Sequence, residues 1–176
     1  MIQARFIVPL AAIAASFLTG CAGIQQRNHV LSVPFEADEA RAMLEPGPNT
    51  VSGSSLIRQA GGGIVTCAGN PVFLLPATAY ADERVNIIYG NYQSGHVPYA
   101  GLLNHSFTPE HPEYKNLTEQ TRCDAQGNFE FTNVADGEFY VHTLVTWSVN
   151  YTTQGGGLMR RVDLEGGEHE KIVLTP

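Results

Sequence analysis

The sequence predicts an all-β domain, and three observations predict it. The segment Thr121–Val141 reads as three strand edges joined by two turns. Asp124-Ala-Gln-Gly-Asn128 places a carboxylate where it accepts from backbone N–H groups two residues on, then a glycine free to take positive φ. Phe129, Phe131 and Val134 are spaced for one face of a pleated strand, and Asp136-Gly137 is a second turn signal before the β-prone run Glu138–Trp147. Eighteen glycines and ten prolines in 176 residues suit many turns rather than long helices. No repeat of fixed period stands out, which argues against a solenoid or propeller.

Taken in order, the N-terminal segment carries Arg5 and then an uncharged apolar run from Phe6 to Leu18. That run is too short for a comfortable membrane span and has the shape of a secretory signal. It ends in Leu18-Thr19-Gly20-Cys21, which resembles the bacterial lipobox. The resemblance implies a lipoprotein signal peptide over residues 1–20, with Cys21 acylated (palmitate among the chains) and made the new N-terminus. Each buried methylene then holds the protein to the bilayer by roughly 0.8 kcal/mol. The competing reading is an ordinary signal peptide with Cys21 a bystander. Ala22 stands where an aspartate would favour inner-membrane retention, so the expected location is the outer membrane of a Gram-negative bacterium.

Charge points to lipid rather than electrostatics as the anchor. Without Arg5 the chain has nine Lys+Arg against seventeen Asp+Glu, a net charge of −8. Such a chain is repelled by anionic headgroups and by phosphates, and its longest basic cluster is Arg160-Arg161. Nucleic acid is therefore not an expected partner.

Residues 21–49 read as a tether. Gln25–His29 is polar, Glu36–Leu44 holds good helix formers with acids early, and Pro46-Gly47-Pro48 stops the helix. The domain proper spans 50–176. A first strand from Val51 ends at Gly61-Gly62-Gly63, Ile64–Cys67 follows, Gly69-Asn70-Pro71 turns the chain, and Val72–Leu75 is a buried strand. Asp82–Tyr89 places Val85, Ile88 and Tyr89 on one helical face, with Gly90 as C-terminal cap. Residues 91–120 are the least regular part of an insertion over about 77–120. Met159–Leu164 and Lys171–Leu174 are expected to close the domain as a hairpin around Glu165-Gly-Gly-Glu168.

Cysteine usage agrees with an exported protein. Setting Cys21 aside leaves Cys67 and Cys123, an even number for an oxidising compartment. A bridge would close a loop worth roughly 4 kcal/mol in the chain-entropy model. Two buried free thiols or half of a metal site are the alternatives.

Catalytic chemistry is thin. The insertion holds His96, His105 and His111 among acids and tyrosines, candidate ligands for zinc or iron. Their spacing fits no rigid helix or strand pairing. No Gly-x-Ser-x-Gly elbow, phosphate loop or His-Glu-x-x-His occurs, so no catalytic residue is assigned and no cofactor is expected. Trp147 and the tyrosines could line a carbohydrate platform, although Trp147 at the end of a β-run also suits a core position.

Val51-Ser-Gly53, Asn70-Pro-Val-Phe-Leu74, Cys123-Asp-x-x-Gly-x-Phe-x-Phe131 and the following Val-x-x-Gly-x-Phe-Tyr-Val141 together resemble a carboxypeptidase regulatory-like domain. The resemblance covers roughly residues 50–76 and 121–174. It implies a transthyretin-like, Greek-key-type β-sandwich of about seven strands, here with one or two short helices and a long irregular insertion. Two enzyme families of similar architecture fit poorly. The chain lacks the C-terminal tetrapeptide of hydroxyisourate hydrolases, and Gly137-Glu-Phe-Tyr-Val-His142 lacks the arginine and second histidine of intradiol dioxygenases.

The resulting expectation is a lipid-anchored envelope protein whose sandwich acts as a non-catalytic binding or scaffolding module. Its expected partners are the membrane, through the lipid, and an envelope protein or glycan. The alternative is a metal-dependent enzyme with a His/Tyr site in the 77–120 insertion.

Overall fold

A computed structural model describes residues 26–176. In chain order its elements are β1 (Arg27–Val30), α1 (Ala37–Met43), β2 (Asn49–Arg58), β3 (Ile64–Thr66), β4 (Pro71–Pro76), α2 (Ala79–Tyr89), β5 (Ser94–Pro98), α3 (Tyr99–Leu102), β6 (His105–Thr108), β7 (Glu119–Arg122), β8 (Asn128–Val134), β9 (Gly137–Val149), β10 (Thr152–Leu164) and β11 (His169–Leu174).

Two sheets form a β-sandwich with short helices, as the sequence predicts. One sheet is built on β2, which pairs antiparallel with β8 and β3 and parallel with β11. The other has the order β5-β10-β9-β4-β7. Between them lies a core that includes Val51, Leu74, Phe131, Phe139, Val141, Leu158 and Leu174. The Cys67–Cys123 disulfide, with Cα atoms 5.8 Å apart, ties the residue after β3 to the residue after β7 and so joins the two sheets.

Local chemistry explains the corners. Asp124 Oδ1 accepts from the backbone N–H groups of Gln126 and Asn128, both at 2.8 Å, and Gly127 takes φ 87°. In β8, Phe129 and Phe131 point inward. A bulge at Asn133 (φ 59°) then returns Val134 to the same face despite its odd spacing. Asn49 is fully buried and satisfied four times. Its Nδ2 donates to the Val134 carbonyl and to Asp136 Oδ1, and its Oδ1 accepts from the N–H groups of Gly167 and Glu168.

Three expectations are corrected. The segment after Leu164 turns at Gly166 and Gly167, both at positive φ, but makes no hairpin. β10 stays beside β9, while β11 crosses to pair in parallel with β2 in the other sheet. The insertion is not irregular, for β5 joins β10 as an edge strand, and β6 pairs with β1. Residues 27–48 are not a free tether. β1 runs parallel to β6, and Glu83 on α2 accepts from the N–H groups of Ser32 and Val33 at 2.9 and 3.0 Å. Arg41 of α1 pairs with Glu113, and Leu31 is buried. A spacing rule sees none of this, because each partner lies at least 50 residues away in sequence.

The insertion forms a third layer. It covers the outer face of the second sheet, where a separate core gathers Leu75, Tyr140 and Met159 from the strands with Tyr80, Ala81, Val85 and Tyr114 from the insertion, and Leu31. Both faces of this sheet are therefore covered. That is why Phe139, Tyr140 and Val141 are all buried in succession.

Candidate functional site

Strand alternation sets the floor of a cavity of about 480 Å³ between the second sheet and the insertion. Along β9, Val141 and Val145 face the main core, so Tyr140, His142 and Leu144 face outward. Register then aligns them in rows across the sheet. Leu75, Tyr140 and Arg161 form one row, Phe73, His142 and Met159 the next, and Leu144 and Gly157 a third. Tyr140 to Leu144 spans about 13 Å at the usual rise of a strand.

Helix α2 supplies the roof. Thr78 caps it, with Oγ1 accepting from the Ala81 N–H at 3.3 Å, and Gly90 ends it in the left-handed region at φ 67°. Val85, Ile88 and Tyr89, the face read from the sequence, line the cavity, joined by Leu102 of α3 and by Tyr114. Gly157 lets this roof approach the floor, since a Cβ there would lie 3.0 Å from both Leu102 Cδ1 and the Tyr89 hydroxyl. Leu144 (39% exposed) and the Lys115 side chain (71% exposed) mark where the cavity opens.

One polar cluster fixes the roof to the floor, and a second ties the parts of the insertion to one another. In the first, Arg161 donates to both Glu138 carboxylate oxygens at 3.0 and 2.8 Å, to Asp82 Oδ1 at 2.9 Å and to the Tyr140 hydroxyl at 2.8 Å. Hydrogen bonding to Arg161 holds the Glu138 carboxyl below its usual range. In the second, the buried Arg84 guanidinium lies 3.9 Å from the Phe107 ring centroid and 4.5 Å from that of Tyr114. Glu110 Oε1 lies 3.5 Å from Arg84 and 3.0 Å from Lys115, so these two cations share one carboxylate. Burial raises the Tyr89, Tyr114 and Tyr140 hydroxyls above the usual phenol range, so all three stay protonated.

His142 is the polar group at the centre of the floor. It stacks on Phe73 with ring centroids 5.0 Å apart. Burial pushes its pKa down to about 4, so it is neutral at neutral pH. A neutral imidazole offers one donor and one acceptor to whatever occupies the cavity.

The histidines singled out from the sequence lie elsewhere. His96 is on β5 and leaves its Nε2 buried without a partner, His105 shares a 3.0 Å hydrogen bond with His29, and His111 packs on Phe35. No group of three or more His, Cys, Asp or Glu able to hold a metal occurs among the described residues. Trp147 packs against the main core and does not line the cavity. Cys21 falls outside the described residues. Sequence reasoning missed the floor residues Phe73, His142, Leu144 and Met159. The available signal was the unbroken apolar character of Val72–Leu75, which marks a strand with two covered faces.

No family model and no curated protein matches the chain. Among solved structures, one from Pseudomonas aeruginosa, provisionally named as a carbohydrate binding protein, has a similar fold. The TM-score is 0.63 at 22% identity, covering 81% of this chain and 97% of that one.

Proposed function

We propose that this protein is a lipid-anchored, non-catalytic binding module of the bacterial outer membrane, with its ligand site in the cavity between the second sheet and the insertion. The observation that carries the reading is that cavity, an opening of ligand size lined mainly by apolar side chains around one neutral histidine. The fold likeness to a protein provisionally named for binding supports a binding role over catalysis. The lipobox at Leu18–Cys21 and the carboxypeptidase regulatory-like pattern support an envelope module of this kind.

The test is titration of the chain from residue 26 with an uncharged naphthylamine fluorophore. Both cores are made of residues from Leu31 onward, so this chain carries the described fold. Saturable binding is expected, weakened about tenfold by Ile88→Trp, which fills the roof, or by Leu144→Arg at the opening. Absence of saturable binding contradicts the reading.

A glycan partner has a different location in its favour. An open polar groove runs over Ser52, Ser54, Asn128, Glu130 and Lys171 on the outer face of the first sheet. Sugar hydroxyls find hydrogen-bond partners there that the apolar cavity lacks.

A further inference from the structure

The start of the described chain and the cavity share one wall. The Arg27 N–H donates to the Asn104 carbonyl at 2.6 Å, and Gln26 Nε2 donates to the Leu103 carbonyl at 3.4 Å. These acceptors directly follow α3, whose Leu102 lines the cavity. Five peptide steps separate Cys21 from Gln26. A chain spans at most 3.3–3.6 Å per residue, so at most about 18 Å of chain separates Cys21 from Gln26, whose side chain contacts that wall. The polar segment that reads as a spacer does not act as one, because its residues from Arg27 on are bound into β1. Val30 (77% exposed) at the end of β1 and Leu103 after α3 present apolar side chains to solvent.

The cavity's chemistry is that of a hydrocarbon chain. Its floor and roof carry Phe73, Leu75, Val85, Ile88, Leu144 and Met159. It runs about 13 Å along β9, which suits an elongated occupant. A sugar placed there would bury hydroxyls with few partners, at about 1–3 kcal/mol each. Arg84 and Lys115 share the single Glu110 carboxylate, which leaves one net positive charge at the edge of the cavity, beside exposed Lys115, and none among the apolar side chains of its floor.

We propose that the cavity takes a single acyl chain, presented at its α3 wall by the short lipidated N-terminus. This rests on the cavity being a ligand site and on acylation of Cys21. Two sources supply the same chemistry, an acyl chain on Cys21 itself or one from a neighbouring bilayer lipid.

The test uses the full-length lipidated protein in membranes of cells fed a diazirine fatty acid, irradiated and mapped by mass spectrometry. Adducts are expected on β9 and α2, at Leu144 and Ile88, and they fall about tenfold in Ile88→Trp and in Leu144→Arg. An adduct that joins these peptides to the peptide bearing Cys21 assigns the protein's own anchor. A phospholipid adduct at the same residues assigns the bilayer. Adducts confined to Val30, Leu103 and other outer positions, unchanged by either variant, overturn the proposal. Naphthylamine titration of the chain from residue 26, which has no lipid, separates this failure from failure of the binding reading. If the fluorophore still binds, the cavity is a site for another apolar ligand.

Discussion

The Tyr140 hydroxyl donates to Asp82 Oδ1 across 2.6 Å, joining the first part of β9 to the first turn of α2. Arg161 Nη1 donates to both partners. The insertion is thereby fastened to the sheet at the Tyr140 end of the cavity, away from the exposed Leu144.

Tyr140→Phe therefore removes two hydrogen bonds, one to Asp82 and one from Arg161, with little change in packed volume. Urea unfolding is expected to show a loss of about 1–3 kcal/mol. A change below a few tenths of a kcal/mol means the insertion is held by its apolar contacts alone.

Asn49 makes a second, independent prediction. Asn49→Leu orphans the Asp136 carboxylate contact and the N–H groups of Gly167 and Glu168 together. The expected cost is about 3 kcal/mol, read from the urea midpoint at constant slope. Wild-type stability in this variant contradicts a structural role for the buried amide.

The disulfide closes the two sheets over a sequence separation of 56. Thiol counting on the denatured, unreduced chain from residue 26 is expected to find no free cysteine. Replacing both cysteines by alanine is expected to remove about 2–4 kcal/mol. One or more reactive thiols in the unreduced wild type contradicts the bridge.

Stability is expected to fall on the acid side earlier than carboxylates alone dictate. Burial depresses the pKa of His142 to about 4 and also lowers those of His96 and His105, the latter helped by the nearby charges of His29 and Arg27. The fold favours their neutral forms. Their contribution is whole above the ordinary value of 6.5 and is lost as pH falls from there toward 4. For His142 alone the loss is at most about 3 kcal/mol. His142→Gln is expected to flatten the dependence of the urea midpoint between pH 6.5 and 4. An unchanged slope contradicts a neutral imidazole on the cavity floor.

Local chemistry made much of the fold legible. The Asp124–Asn128 turn, the strand at Val72–Leu75 and the Gly90 cap each depend on residues within a few positions. The cysteine pair was expected from the even count that remains once Cys21 is set aside. What stayed hidden depends on distant partners. β5 (SGHVP) and β6 (HSFT) are short and carry no alternation, and they exist because β10 and β1 offer backbone to pair with. Glu165–Glu168 has turn chemistry, yet turn chemistry does not say which strand comes next, and β11 goes to the other sheet. The cavity was obscured for a related reason. Alternation reports a face only when the opposite face is polar, and β4 and β9 are apolar on both.

The central claim is that the insertion roofs a ligand cavity on the outer face of the second sheet. It is tested most directly by amide chemical-shift mapping of the chain from residue 26 during naphthylamine titration. The account predicts saturable shifts at Phe73, His142, Leu144 and Met159 on the floor, together with Val85 and Ile88 on α2. Shifts confined to Ser52, Ser54 and Lys171 on the opposite sheet, or none at saturating probe, would contradict it.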